Sequence, residues 1–532
     1  MPTAASLPPP PARAPRALWL AAALLLVAIG SALVAEARLT GGIDGLPLDD
    51  AWIHLVLARS LAGGEGLAFR PGELVTASTA PLWTALLSLV DRLPGAPLLP
   101  AKGLGALLTL AALAATFRLA RALELGRGLA LLAAFLFAAS DAMAWSALSG
   151  MEIPLFVLLA TAGLALQAEA ASGRRPAGAA EVLLLALAAL ARPEGLLLLA
   201  LALGERIALA GAGARLRRAG HDLALAAAVL LPVVAAYAAI GGSPLPTTFA
   251  AKVGGAAPEL PRLATLYAAF GLLFRSHPLP ALLAAGGAVE LLARRLSGRR
   301  GSLLPALWLV GLPLAFATLE GPPRFGNFGR YLFPLYPALA VMAAAALVRP
   351  AAALAALPGT RRRVAAGALA ALVVVPSLPA LGRAGGRFAQ SVANVAASDL
   401  ALARELAGRL DPRAVLALAD IGALGYHLPN RMVDLGFLVS PDLASFVAAE
   451  RARGVAPDDA LLAFLAARGV DYVATFPAAT PLFARRTDLF PPLLRLPVAD
   501  NITMVGDELV LYATPWTRFP LAAEGRPRSP AP

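Results

Sequence analysis

Long apolar runs separated by short polar turns dominate the chain as far as residue 381. The runs are rich in Ala, Leu and Val, and most approach the length that a helix needs to cross a bilayer. They lie at 18–35, 98–117, 128–147, 154–171, 180–191, 195–210, 221–241, 265–293, 302–319, 331–348 and 364–381. The pattern therefore predicts an α-helical polytopic membrane domain over 18–381, with about eleven transmembrane helices.

Arginine clusters in alternate connections predict the orientation of these helices. The clusters are Arg118, Arg121 and Arg127; Arg174 and Arg175; Arg215, Arg217 and Arg218; Arg294, Arg295, Arg299 and Arg300; and Arg361, Arg362 and Arg363. Because cytoplasmic loops carry an excess of Lys and Arg, every cluster is expected inside the cell, together with the Pro-rich tail 1–17. The run 18–35 is interpreted as an uncleaved span, with a cleavable signal peptide as the alternative.

The pattern changes after residue 381. Apolar runs shorten to strand length at 415–419, 431–439, 470–475 and 508–513, with helical stretches at 396–410 and 457–468 between them. This alternation predicts a small α/β domain over 382–517. Because the N-terminus is predicted to lie in the cytoplasm, an odd number of spans places that domain on the opposite side of the membrane. The tail 518–532 is rich in Pro and Arg and is predicted to be disordered.

Composition supports a membrane protein. Of 532 residues, 59% are hydrophobic and 15% charged, and the mean hydropathy is +0.72, which excludes an ordinary soluble enzyme. The net charge of +12 is assigned to cytoplasmic loops and to contacts with membrane lipids, so no nucleic-acid partner is expected. The absence of Cys excludes disulfides and thiol chemistry. A multi-pass protein of a bacterial inner (plasma) membrane is predicted.

The first outer loop, residues 36–97, is the longest connection between predicted spans. Residues 49–61 have helical periodicity that places Asp50 and His54 one turn apart, and an amphipathic helix at the membrane surface is predicted. A second helix is predicted near residues 81–87, with Trp83 at the depth of the membrane interface. Asp49 and Asp50 have two interpretations, and both stay open. In one, they only cap the helix and complement its dipole; in the other, one of them takes part in chemistry.

The motifs of this loop resemble a known family. They read Asp49-Asp50-Ala51-Trp52, Gly64-Glu65-Gly66-Leu67, Phe69-Arg70-Pro71-Gly72-Glu73 and Thr79-Ala80-Pro81-Leu82-Trp83. This order resembles the first outer loop of GT-C glycosyltransferases, in particular mycobacterial terminal arabinofuranosyltransferases and bacterial protein-mannosyltransferase-like proteins. The resemblance continues through Gly150-Met151-Glu152, Arg192-Pro193-Glu194-Gly195, the segment 244–249, Lys252 and Gly329-Arg330-Tyr331. Two positions depart from the resemblance. Relatives usually carry Tyr or Phe at the position of Trp52, and Asn at the position of Thr247.

The resemblance implies inverting transfer of a sugar from a polyprenyl-phosphate donor to an acceptor hydroxyl at the outer face of the membrane. A first-loop Asp, with Asp49 slightly favoured over Asp50, takes the hydroxyl proton, and cations hold the departing phosphate. The candidate residues, from the resemblance and from their positions in the outer loops, are Asp49, Asp50 and Glu152 for catalysis; Arg192, Lys252, Arg324, Arg330 and Tyr331 for the donor phosphate; and Trp52, His54 and Trp83 in the substrate loop. The resemblance leaves open whether a divalent cation (Mg, Mn or Ca) is bound. The residues that would hold it are Asp49, Asp50 and Glu152.

Several alternatives remain at this point. Glu152 is also in place to cap the helix that begins at Pro154, and Arg192 to pair with Glu194 or to snorkel towards the interface. Arg330 and Tyr331 also suit ordinary interfacial anchoring. For the whole protein, the alternatives are a lipid-linked sugar transporter or flippase and a non-catalytic assembly protein. The acceptor, whether glycan, lipid or protein, is not determined, nor is the role of the outer domain.

Overall fold

The computed structural model describes residues 16–247, 262–318 and 327–522. Most of these residues are helical, and a small sheet lies in the C-terminal part. The helices are α1 (Arg16–Thr40), α2 (Asp49–Ala62), α3 (Pro81–Asp91), α4 (Leu98–Ala122), α5 (Arg127–Ala138), α6 (Asp141–Leu148), α7 (Ile153–Ala171), α8 (Ala180–Ala191), α9 (Gly195–Leu209), α10 (Arg215–Gly241), α11 (Arg262–Ser276), α12 (Pro278–Leu296), α13 (Leu304–Thr318), α14 (Tyr336–Ala346), α15 (Val348–Ala355), α16 (Gly359–Val374), α17 (Leu378–Val395), α18 (Ala401–Leu406), α19 (Gly422–His427), α20 (Pro441–Ala452), α21 (Pro457–Ala467) and α22 (Pro481–Arg485). The strands are β1 (Ala68–Arg70), β2 (Glu73–Leu74), β3 (Val415–Leu418), β4 (Arg431–Asp434), β5 (Tyr472–Thr475), β6 (Pro492–Pro497) and β7 (Glu508–Ala513).

Several helices have the length and composition of membrane spans. Within the described ranges, five helical segments are long and apolar enough to cross a bilayer, and seven if each of two bent pairs counts as one span. Three shorter apolar helices, α3, α8 and α13, accompany them. A polytopic membrane domain is therefore confirmed, whereas the figure of eleven spans stays a prediction.

Two of the apolar runs predicted as single spans, 128–147 and 265–293, are each divided into two helices. The run 128–147 bends by 57° between α5 and α6, where the Ser140 hydroxyl accepts the backbone N–H of Met143 and caps the second helix. The run 265–293 breaks at His277, immediately before Pro278. Proline has no N–H to donate and disfavours helical geometry at its predecessor, and His277 has non-helical φ and ψ, so Pro278 opens α12 instead of continuing α11.

Helix α2 corrects the prediction of an amphipathic helix at the membrane surface. Every residue from Ala51 to Ala58 is buried. Trp52 and Leu55 pack into the core of the membrane domain, whereas Ile53 and Leu57 pack into the core of the C-terminal domain. The helix is enclosed between the two domains, and Trp83 of α3 is likewise fully buried within the protein.

The C-terminal part is an α/β domain around a five-stranded mixed sheet of order β4-β3-β5-β7-β6. β3 pairs in parallel with both β4 and β5, and β7 pairs antiparallel with β5 and β6. The predicted boundary at residues 381–382 lies inside α17, which continues through a π-helical turn, Ala396–Leu400, into α18. The two domains are thus joined by helical backbone.

A buried ion pair holds the beginning of the first outer loop. Lys102 Nζ of α4 donates to both carboxylate oxygens of Glu36, at 2.6 and 2.7 Å, and to the carbonyl of Ile43 at 2.8 Å. Glu36 also accepts the backbone N–H of Gly45. Both side chains are almost inaccessible to solvent. Because the loop leads directly to α2, this pair positions the helix as well.

Removal of one partner should destabilise the protein more than removal of both. We expect Lys102→Met to lower the free energy of unfolding by about 3–5 kcal/mol, because Glu36 is then buried without its partner. The double variant Lys102→Met, Glu36→Met should recover most of this loss. The measurement is the unfolding midpoint in detergent. Arg118→Ala is the control, since its pair with Glu169 is exposed and should contribute less than about 1 kcal/mol. Equal losses in the single and double variants would contradict the prediction.

Candidate active site

Four segments far apart in the chain meet at the junction of the two domains. They are the N-terminal turn of α2, the turn before α7 that ends at Glu152, the turn between α8 and α9, and the 3₁₀ segment Asn327–Leu335. Ion pairs and ring contacts connect the side chains of these segments. Predicted catalytic and phosphate-binding residues occur on each of them.

Asp50 is joined to Arg330 across this junction. Arg330 Nη2 donates to Asp50 Oδ2 at 2.6 Å. The Arg330 side chain is buried, and its Nη1 has no hydrogen-bond partner among the described residues. Asn327, Phe328 and Gly329 all have positive φ, so the backbone turns sharply just before the guanidinium. A buried cationic donor is thus left with capacity to bind a further anion.

Glu152 and Arg192 form a second buried ion pair. Arg192 Nη1 donates to Glu152 Oε1, and the same guanidinium donates to both oxygens of Glu194 at 2.8 and 3.2 Å. His54 Nε2 lies 3.5 Å from Glu152 Oε2, which is long for a hydrogen bond. Burial raises the pKa of Glu152, but the opposing charge of Arg192 and the contact with His54 outweigh it, and the pKa lies at about 2.

Tyr331 lies between the two arginines. The guanidinium carbons of Arg192 and Arg330 are 5.5 and 5.4 Å from the centre of its ring, within the range of a cation–π contact. A continuous path of contacts therefore runs from Asp50 through Arg330, Tyr331 and Arg192 to Glu152.

Asp49 faces the C-terminal domain. Its carboxylate oxygens accept the backbone N–H groups of Gly422 and Ala423, at 2.7 and 2.8 Å, at the start of α19. A Cβ on Gly422 would come within 2.2 Å of the Asp49 carbonyl oxygen, so only glycine permits this approach. Burial raises the pKa of Asp49 to about 7, despite the two backbone hydrogen bonds that lower it.

The remaining predicted residues have supporting positions or lie outside the described ranges. Trp52 packs against the rings of Tyr426 and His427, at 5.3 and 5.4 Å between centroids. Trp83 donates its indole N–H to the carbonyl of Gly150 at 2.9 Å and so holds the turn that carries Glu152. Lys252 and Arg324 lie outside the described residues.

Three acidic residues of the C-terminal half were not selected from the sequence. Asp399 lies in the π-helical turn, Asp420 follows β3, and Asp434 ends β4. Burial and the neighbouring charges of Asp49 and Asp50 raise the pKa of Asp420 well above its usual range. The carboxyl ends of parallel strands commonly line binding clefts, and that position was the available signal for Asp420 and Asp434.

The predicted carboxylates do not fit a divalent cation in this arrangement. Asp49 is engaged by backbone N–H groups, Asp50 by Arg330 and Glu152 by Arg192. Within the three described ranges, no group of three or more His, Cys, Asp or Glu side chains is arranged to hold a metal ion.

Comparison with known proteins identifies the fold. The apo structure of ArnT from Cupriavidus metallidurans has a TM-score of 0.59 and 15% identity, and the match covers 94% of this chain and 98% of that one. The same protein bound to undecaprenyl phosphate has 16% identity and a TM-score of 0.59, over 93% and 98% of the chains. Both the membrane domain and the C-terminal domain therefore have counterparts in ArnT.

A second solved structure has a similar fold. The oligosaccharyltransferase AglB from Archaeoglobus fulgidus, in complex with an inhibitory peptide and a dolichol-phosphate, has 13% identity and a TM-score of 0.53, covering 88% of this chain and 71% of that one. The chain shares its fold with ArnT and AglB, which is the fold that the resemblance to GT-C glycosyltransferases implied. Residues 389–518 match a family model described as Domain of unknown function (DUF8728). No curated protein matches the chain.

The raised pKa values predict how stability depends on pH. Burial raises the pKa of Asp49 to about 7 and that of Asp434 to about 6, so the folded protein retains protons that the unfolded chain has already released. The free energy of unfolding should therefore fall as the pH rises from about 5 to about 8. Unfolding midpoints across this range provide the measurement. The slope should be shallower in Asp49→Asn and unchanged in Asp44→Asn, which alters an exposed acid of the same loop.

Gly422→Ala should disrupt the junction between the domains. The added methyl group would overlap the backbone and the carboxylate of Asp49, so the two backbone hydrogen bonds would be lost. Limited proteolysis should then cleave near α19 faster than in wild type. Gly382→Ala is the matched control, because a Cβ there meets no atom within 4 Å. Unchanged proteolysis of Gly422→Ala would contradict this account of the junction.

Proposed function

We propose that the protein transfers a sugar from a polyprenyl-phosphate donor to an acceptor hydroxyl, with inversion at the anomeric carbon. The observation that carries the proposal is the pairing of Asp50 with Arg330 beside Tyr331, Arg192 and Glu152, on a GT-C fold. One solved structure of ArnT contains undecaprenyl phosphate, and one of AglB contains a dolichol-phosphate. Both ligands are phosphates of long prenyl chains, as the proposed donor is.

Asp50 is the proposed general base. It lies beside Asp49, whose two oxygens are occupied by backbone N–H groups, and about 30% of its side chain is exposed. In the transfer, the acceptor oxygen forms a bond to the anomeric carbon while the bond from that carbon to the phosphate oxygen breaks. The electron pair of the broken bond leaves with the phosphate, and the acceptor proton moves to Asp50. Asp49 acts as a positioning residue that holds the first turn of α2.

Arg330 is the proposed partner of the donor phosphate. Its Nη1 is buried without a hydrogen-bond partner among the described residues, so an incoming phosphate oxygen would satisfy a donor that is otherwise desolvated at a cost. Arg192 is held by Glu152 and Glu194, and its guanidinium lies against the ring of Tyr331. Lys252 and Arg324 are further candidates on the sequence alone.

The site is proposed to face the outside of a bacterial inner membrane, with the C-terminal domain on the same side. The arginine clusters of the sequence support this orientation. The donor would then diffuse within the membrane, and its prenyl chain would lie against the apolar helices. A glycan, lipid or protein in the extracytoplasmic space would be the acceptor.

Loss of the base should abolish turnover without loss of folding. With purified protein in nanodiscs and a panel of radiolabelled polyprenyl-phosphate sugars, we expect Asp50→Asn to slow release of polyprenyl phosphate by about 10²–10⁴-fold. Asp44→Asn, in the same loop, should retain wild-type rates. Wild-type turnover that persists in Asp50→Asn would reject Asp50 as the base. Donor movement across the bilayer without turnover would favour a flippase instead.

Arg330 variants should separate phosphate binding from the rest of the site. Arg330→Lys keeps one positive charge but loses the planar pair of donors, so the KM for the donor should rise about tenfold or more. Arg294→Lys, in a cluster far from the site, is the control. The assay is the same release of polyprenyl phosphate at varied donor concentration. An unchanged KM would show that the phosphate binds elsewhere.

A further inference from the structure

A cavity of about 460 Å³ lies between the C-terminal domain and the first outer loop. Its walls come from β4 and the loop before α20, from α21, from the segment 73–76 around β2, and from the end of α10 with Thr247. The volume is within the range of ligand pockets. The residues assigned above to catalysis and to the donor phosphate are not among its described lining, so the proposed transfer chemistry leaves this cavity without a role.

The cavity lies along the outer edge of β4. This strand is the last of the five-stranded sheet and, within the described ranges, pairs only with β3. Met432 packs into the core on one face of the sheet and Val433 into the core on the other, since successive side chains of a strand point to opposite faces. Both residues line the cavity. A cavity that touches both faces of an end strand must lie at its edge.

The backbone of β4 presents hydrogen-bonding groups to this edge. Leu435 donates its N–H to the carbonyl of Leu418 at 2.9 Å and so faces β3. Because backbone groups alternate in direction along a strand, Asp434 faces the opposite edge, where its N–H donates to Ser440 Oγ at 3.0 Å. By the same alternation, Met432 presents its N–H and its carbonyl to the cavity. Groups on an edge without a neighbouring strand are a template for a further strand.

The charged side chains of the lining are paired within the protein. Arg431 Nε lies 3.3 Å from Glu73 Oε1. Arg468 forms an ion pair with Asp442. These charges compensate one another, so the lining offers no net charge to a phosphate or a polyanion. Phe464 is the one aromatic residue of the described lining, and it is buried, which leaves no exposed ring on which a sugar could stack. The lining therefore suits an uncharged chain with its own hydrogen-bonding groups.

One wall of the cavity leads towards the candidate site. The segment 73–76 lines the cavity, and Ser78 follows it after one residue. Ser78 Oγ and Thr84 Oγ1 are 2.9 Å apart, and Thr84 Oγ1 lies 3.4 Å from His54 Nδ1. His54 Nε2 in turn lies 3.5 Å from Glu152 Oε2. A molecule held in the cavity thus contacts a segment that continues into the candidate site.

We propose that β4 binds an extended peptide segment of a protein acceptor in this cavity, by addition of a strand to the sheet. The inference rests on the proposed glycosyl transfer for the identity of the reaction, and it names the class of the second substrate, a protein with a side-chain hydroxyl. Three residues of β4 line the cavity, which corresponds to about 10 Å of extended chain at about 3.3 Å per residue. In strand addition, main-chain hydrogen bonds give affinity and pockets for alternate side chains give specificity.

The absence of Cys allows a single reporter thiol to be placed at the cavity. Leu74→Cys is the reporter, because Leu74 lines the cavity and is 50% exposed. Leu493→Cys is the matched control, since Leu493 is 48% exposed and lies on β6, at the opposite edge of the sheet. The measurement is the rate of maleimide labelling in nanodiscs, with and without a panel of blocked hexapeptides of Ser, Thr and Val. We expect the peptides to slow labelling of Leu74→Cys at least fivefold and to leave Leu493→Cys unchanged.

Peptides methylated at every backbone nitrogen distinguish strand addition from other binding. They cannot donate to β4 and should give no protection. Equal protection by methylated and unmethylated peptides would overturn the proposal, as would protection of both thiols or of neither. Protection by maltohexaose, with none by the peptides, would overturn it in favour of a glycan. Size-exclusion profiles verify that both variants fold, as expected for substitutions of exposed side chains.

The thiol readout needs no donor. If no donor of the panel releases polyprenyl phosphate while the unmethylated peptides protect Leu74→Cys, the transfer proposal fails and the peptide site stands. If sugar is transferred, the same peptides serve as acceptors. Leu74→Trp, whose larger side chain extends into the cavity, should then raise the KM for the peptide at least tenfold, and Leu493→Trp should leave it unchanged. Transfer to a glycan or to water, with no peptide glycosylated, would reject the peptide acceptor and leave the transfer proposal intact.

Discussion

The contact of Asp49 with the backbone of α19 is the interaction on which the rest of the candidate site depends. Two N–H groups from the C-terminal domain, those of Gly422 and Ala423, bind the carboxylate of a residue in the first outer loop. Hydrogen bonds of this kind are stronger than those between neutral groups. Because Asp50 is the next residue, and His54 lies one turn further along α2, the same contact also positions both of them.

The site separates charges between the two domains. On the membrane side, the buried arginines Arg192 and Arg330 are each paired with a carboxylate, so the charges compensate one another in a medium of low dielectric. On the side of the C-terminal domain, the Asp49 carboxylate accepts two backbone N–H groups. In the proposed transfer, a fixed arrangement of this kind would meet the donor phosphate without reorganisation, which is how preorganised electrostatics lowers a barrier.

Sequence patterns were informative where a feature is local. Apolar runs predicted the helical membrane domain, and the motifs around Asp49, Glu152, Arg192 and Arg330 singled out residues that the structure brings together. The surface position of α2 was wrong, although a signal existed. Residues 51–58 are apolar on nearly every face, and such a helix is buried instead of lying at an interface. Lys252 and Arg324 stay predictions, since they lie outside the described residues.

The sequence by itself determined the class of protein and the kinds of side chain available, because hydropathy and short motifs depend on neighbours in the chain. Only the tertiary structure decided which aspartate of the pair Asp49 and Asp50 is engaged by the C-terminal domain. That contact joins residues 373 positions apart, and no periodicity records such a separation. The pairing of Asp50 with Arg330 was decided in the same way, since it joins residues 280 positions apart.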